Sequence, residues 1–199
     1  MTHGKIVLED ILNFFEYEKV RDERRRHVLE VKRARRIPLG RYLSLLFENR
    51  DTVLFQIQEM CRAERIVDDV RIQDEIDVYA ALLPRPGELS ATMMIEIGDK
   101  DGIKPILDRF QGIDLGRHVW IQVGKEFAIP AEFEPGRSDQ ERGKLSAVHF
   151  VRFAFPEPVV RAFRDAPGFL VVDHPADRAR TEILPDTRAA LLGDLAPHP

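Results

Sequence analysis

The chain contains a single cysteine, Cys61, in 199 residues. That excludes an intrachain disulfide and any thiolate cluster built from this chain alone. No apolar run approaches the ~20 residues that cross a bilayer. Met1-Thr2-His3-Gly4-Lys5 lacks the apolar stretch of a secretory signal. A phosphate-binding G-x-x-x-x-G-K-[ST] or G-x-G-x-x-G is missing, as is a G-x-S-x-G elbow, so the common nucleotide enzymes and α/β hydrolases are not expected. There is no H-E-x-x-H and no internal repeat or low-complexity tract. What is present, 44% hydrophobic and 32% charged residues, excludes disorder. The expectation is one soluble, cytoplasmic domain spanning 1–199.

Charge is unevenly placed. Ten basic residues (Lys19, Arg21, Arg24, Arg25, Arg26, Lys32, Arg33, Arg35, Arg36, Arg41) face three acidic ones (Asp22, Glu23, Glu30) between positions 19 and 41. This segment is +7 inside a chain of net −4, so the remainder carries −11. Tyr17, Val20, Arg24, His27 or Val28, Val31 and Arg35 recur at helical spacing. Ile37-Pro38 and Gly40 are expected to end that helix, with Arg35-Arg36 in its last turn against the negative end of the dipole.

Residues 1–84 read as mostly helical and 85–199 as sheet-rich. A short strand at Tyr42–Phe47 leads through Glu48-Asn49-Arg50 to a helix capped by Asp51 or Thr52 and carrying Val53, Ile57, Met60 and Val67. A second helix carries Ile72, Ile76, Tyr79 and Leu83 and stops at Pro84. Period-two alternation then marks Leu89–Ile97 as a strand. After a short helix at Ile103–Phe110, Val119–Val123 and Phe127–Ile129 read as a hairpin. Glu132–Lys144 is charged and contains Pro135, Gly136 and Gly143, the pattern of a mobile loop. Leu145–Phe155 reads as a central strand. A helix at Glu157–Arg164, a strand at Phe169–Asp173 and a terminal helix to about Leu192 follow. The fold class is α+β, with the helical N-terminal half on a mixed, largely antiparallel sheet and helices at the C-terminus.

Glu48, Arg50, Gln56, Gln58, Glu59, Arg62 and Glu64 crowd one turn and one helix, and Arg152 lies on a later strand. Such a set can bind a polar ligand, with Arg50 and Arg62 as bidentate donors and Glu59 as acceptor or base. The simpler alternative is a helix locked by Glu–Arg pairs. Gln56, Glu59 and Arg62 are expected to share a buried or half-buried polar network. His149, Asp173 and His174 would supply two imidazoles and one carboxylate to a metal if their strands were neighbours. No motif supports that, and neither metal nor cofactor is expected. Cys61, mid-helix beside Met60, reads as a buried core thiol.

Several segments together resemble a bacterial family known only as a domain of unknown function. They are Glu18–Gly40, Phe47-Glu48-Asn49-Arg50 into Gln56-Ile57-Gln58-Glu59-Met60, Arg62-Ala63-Glu64-Arg65, Leu89-Ser90-Ala91-Thr92, Val148-His149-Phe150 with Arg152-Phe153, and Asp173-His174-Pro175. The resemblance covers nearly the whole chain and assigns no activity. It implies genetic company with a rubrerythrin and an iron–sulfur oxidoreductase-like protein, and hence a role near peroxide or redox metabolism. Three functions compete. The first is an accessory protein whose basic helix binds an acidic surface on a protein partner, a rubrerythrin or iron–sulfur protein, or on a second copy in a homodimer. The second is a small-molecule enzyme using the Glu/Arg/Gln cluster. The third, nucleic-acid binding through residues 21–36, is opposed by the acidic remainder of the chain.

Overall fold

The computed structural model describes residues 5–138 and 143–196. A single 3-10 turn at Leu8–Asp10 precedes α1 (Phe14–Arg33), the strands β1 (Arg36–Leu39) and β2 (Leu43–Phe47), and the helices α2 (Arg50–Ala63) and α3 (Asp69–Ala80). Then come β3 (Glu88–Ile95), α4 (Ile103–Arg109), β4 (Val119–Val123), β5 (Phe127–Pro130) and β6 (Glu132–Phe133). The chain closes with β7 (Val148–Ala154), α5 (Glu157–Asp165), β8 (Gly168–His174), β9 (Asp177–Glu182) and α6 (Pro185–Leu195). The α+β class holds. The strands, however, form two sheets, β1-β2-β3-β7-β6 and β5-β4-β8-β9, and every pairing among the described residues is antiparallel.

One apolar cluster joins the two sheets. It takes Leu39, Leu45, Phe47, Met93, Val151 and Phe153 from the first sheet and Val119, Ile121, Leu170 and Val172 from the second. Alternation sets this up: β4 and β8 bury every second side chain. All five residues of β2 are buried. A smaller cluster of Ile6, Val53, Ile57, Cys61, Ile66, Ile76 and Leu82 lies among the helices and touches Phe150, which faces away from the first core on β7. The helical layer therefore rests on the outer face of the first sheet.

Several local expectations are corrected. Ile37-Pro38 does not simply stop α1 but lies within β1, so Arg35 and Arg36 are outside the last helical turn. Pro38 is tolerated because β1 is an edge strand. Asn49, not Asp51 or Thr52, caps α2: its side chain accepts the Thr52 N–H at 3.0 Å. Val67 lies beyond α2 and is exposed. Glu132–Phe133, expected in a loop, pairs with Arg152 and Val151 of β7, while residues 139–142 of that loop lie outside the described residues. β9 was hidden in a run, Asp177–Glu182, whose outward residues Arg178, Arg180 and Glu182 are charged.

The two sheets also meet at a turn. Gly40 links β1 to β2 with φ +68°, and a Cβ there would stand 2.5 Å from the Asp177 carboxylate. The same carboxylate accepts the Arg41 N–H at 2.8 Å. A residue without a Cβ is required on both counts.

Candidate functional site

The strand-to-helix turn at residues 47–52 is fixed from inside. Glu48 is buried and accepts the Thr52 hydroxyl at 2.5 Å and the Thr92 hydroxyl at 2.6 Å. Both of its oxygens are thus committed to neighbouring elements of this chain. Arg50 turns toward the N-terminal segment and pairs with Asp10 at 2.6 Å. Gln58, one face further along α2, receives the Leu12 N–H at 2.8 Å and gives its own amide proton to the Leu12 carbonyl at 2.9 Å. Arg50 and Gln58 therefore strap residues 6–13 across α2.

Glu59 is the centre of the cluster. Arg21 binds both carboxylate oxygens, Nε at 2.8 Å and Nη2 at 2.9 Å. The Tyr17 hydroxyl donates to Oε1 at 2.8 Å, and Arg62 adds longer contacts at 3.2 and 3.5 Å. The Arg21 guanidinium, with Tyr17 and Arg62 beside it, holds the Glu59 carboxyl down at about 2, while burial and that carboxylate push the Tyr17 hydroxyl up. A general base works best with a pKa near the operating pH. Glu59 is an ion-pair anchor between α1 and α2. The polar network expected of Gln56, Glu59 and Arg62 is half right: Glu59 and Arg62 are half-buried partners, but Gln56 is exposed and outside it.

The missed partners are Tyr17 and Arg21, one helical turn apart on α1. Their i,i+4 spacing puts them on one face of α1, but nothing in the sequence said which helix that face would meet. Glu64 is exposed at the end of α2, where Arg65 at φ 54° lets the Ile66 N–H reach the Cys61 carbonyl at 2.8 Å. Arg152 serves a separate corner, bonding Glu88 and the Ala81 and Leu83 carbonyls after α3. Six of the eight candidates are therefore divided among an inner turn, a strap, a helix–helix pair and a distant corner, and Gln56 and Glu64 stand exposed outside all four. The cavities beside α2, of about 70 and 140 Å³, fall short of the ~300 Å³ at which small-molecule pockets begin.

The sequence model of a family described as "Protein of unknown function (DUF3501)" matches residues 5–195. The chain belongs to DUF3501. The crystal structure of a novel protein of unknown function from Burkholderia pseudomallei K96243 is similar to it, with a TM-score of 0.89 and 32% identity, covering 97% of this chain and 100% of that one. Among curated proteins none matches. In this DUF3501 chain the three metal candidates do not assemble. His149 lies on β7 of the first sheet, Asp173 and His174 on β8 of the second. His174 is occupied at both ring nitrogens, by the Gln111 carbonyl at 3.3 Å and the Ala176 N–H at 3.2 Å, and it stacks on Phe110. His149 bonds the Ser146 carbonyl at 2.8 Å and meets the Phe133 ring edge-on; burial pushes its pKa down. Asp173 pairs with Arg178. Among the described residues no group of three or more His, Cys, Asp or Glu is placed to hold a metal ion. Cys61 is buried in the helical core, and burial raises its thiol pKa.

The basic arm of this DUF3501 protein is thinner than its composition suggests. Arg21, Arg33, Arg35 and Arg36 are each paired with a carboxylate of the chain. The Arg35–Asp194 pair is buried and bidentate, at 2.6 and 3.0 Å. Lys32 is half-buried with its ammonium over the Phe55 ring. Arg24, Arg25 and Arg26 stand exposed on α1 without an ion pair among the described residues.

Proposed function

We propose that the chain is an accessory binding protein that docks an acidic protein surface along the exposed side of α1. The observation that carries this reading is the consecutive Arg24-Arg25-Arg26 triplet, exposed and without a carboxylate partner on a 20-residue helix that buries only Tyr17 and Val28. Such a helix is longer and more exposed than its packing on α2 requires. Three neighbouring cations steer a compact acidic patch and speed its association, with a strong dependence on salt. Catalysis at the Glu59 cluster has less support, because the carboxylate is saturated by this chain's own donors.

Nucleic acid is the weaker partner for the same patch. Four of the ten cations are already neutralised, and a long polyanion would meet the −11 of the remaining chain. The partners to test first are a rubrerythrin and an iron–sulfur oxidoreductase-like protein, which the family resemblance implies as genetic company. Binding titrations at low and physiological salt compare the wild type with the double reversal Arg25→Glu, Arg26→Glu. Salt-sensitive binding of one such protein, lost in the double reversal, is the expected result. Tight binding of DNA or RNA that the reversal abolishes would replace this reading with nucleic-acid recognition.

A further inference from the structure

We infer that the acidic surface fitted by α1 includes α3 of a second copy of this chain, giving a reciprocal dimer in which each α1 lies on the other protomer's α3. This deepens the reading above and rests on α1 being a docking face. From its cap to its end, Asp68–Ala80 carries five acids (Asp68, Asp69, Asp74, Glu75, Asp77) against one base, Arg71. Asp69, Asp74 and Asp77 are exposed, and none of the five has an ion pair among the described residues. One molecule thus presents an exposed arginine triplet on α1 and an acidic α3, both helices packed on α2, and neither set of charges has an ion pair among the described residues.

Apolar residues accompany both charge sets. Val70 (70% exposed) and Val78 (67%) flank Asp74 and Asp77 on α3, and Leu29 (50%) follows Arg25 and Arg26 by one turn on α1. Burying charge alone gains little, because exposed pairs contribute weakly. Apolar side chains beside complementary charges give an interface something to desolvate. Two-fold association also requires a self-complementary surface, where residue i meets j and j meets i. Separate patches of opposite sign on one chain meet that requirement, whereas two copies of the α1 triplet facing one another would repel.

The test uses the full chain in sedimentation equilibrium at low and physiological salt. Arg25→Glu with Arg26→Glu, and separately Asp74→Lys with Asp77→Lys, should each weaken self-association by ~100-fold or more, since like charges then face each other. An equimolar mixture of the two variants should re-form a dimer, because each reversed helix meets a reversed partner. That rescue is a result a misfolded variant could not give, and the milder Arg25→Gln, Arg26→Gln and Asp74→Asn, Asp77→Asn pairs should weaken association less. A wild type that stays monomeric at low salt and high concentration overturns the inference. So does a dimer indifferent to both reversals, or two well-folded reversal variants that fail to pair. Failure of the docking reading is separable: there, Arg25→Glu, Arg26→Glu would leave binding of the candidate acidic protein unchanged, whereas a monomeric wild type that still binds it through α1 loses only the dimer.

Discussion

Asp194 and Glu59 are both carboxylates gripped by arginine, in regions of opposite character. Asp194 lies beside the two-sheet core, is 2% exposed, and accepts two hydrogen bonds from the Arg35 guanidinium. Glu59 lies in the helical layer with about a quarter of its side chain open to water, and collects Arg21, Arg62 and Tyr17. Burial sets their order, because water can replace a lost partner at Glu59 and cannot at Asp194.

The largest expected effect tests that ranking directly. Arg35→Ala leaves Asp194 buried without its guanidinium and should cost about 3–5 kcal/mol in chemical denaturation. Arg35→Met combined with Asp194→Leu should recover most of this, since an apolar pair of similar size removes the stranded charge. A cost for Arg35→Ala as small as that of a surface pair would break the comparison.

Next comes Gln58→Ala, which strips both hydrogen bonds from the Leu12 backbone and should cost about 1–2 kcal/mol. Amide exchange at residues 6–13 should rise before global unfolding, because the strap opens locally. Arg62→Ala should cost less than about 1 kcal/mol, as Arg21 and Tyr17 still hold Glu59. Arg21→Ala should exceed it in a paired thermal melt, since Arg21 makes the shorter, two-point contact.

The subtlest effect is on pH. The Glu59 carboxyl is lowered from 4.5 to about 2, so its contribution is fully present above pH 4.5 and is lost as pH falls from there toward 2. Acid titration of stability should therefore be shallower in Glu59→Gln across that window. Identical slopes in the two proteins would mean the ion pair is not formed in solution.

The two regions also differ in how far they could be read in advance. Strands of the two-sheet core declared themselves through alternation, as in Leu89, Ala91, Met93 and Ile95, because period two fixes which residues share a face. That a single sheet was expected instead of two follows from the same limit: alternation says which residues turn inward, not which strand lies next. In the helical layer Glu59 and Arg62 were legible as partners at i,i+3. Arg21, 38 positions away, was not, because local spacing carries no information on how α1 crosses α2. Arg35 misled for a third reason. A cation near a helix end reads as a dipole partner, and only the fold brings Asp194, 159 positions away, to take it.

The edge strands have a consequence for how the molecule behaves among its neighbours. An unpaired strand edge is a template onto which a foreign backbone can add, and proteins blunt such edges with proline, brevity or charge. Each of the four edges here carries one of these devices. β1 contains Pro38, β5 ends on Pro130, β6 is two residues long, and β9 turns Arg178, Arg180 and Glu182 outward. Sheet-to-sheet polymerisation, the usual hazard of an antiparallel protein, is closed off at every margin, and any association this chain makes must be written in side chains.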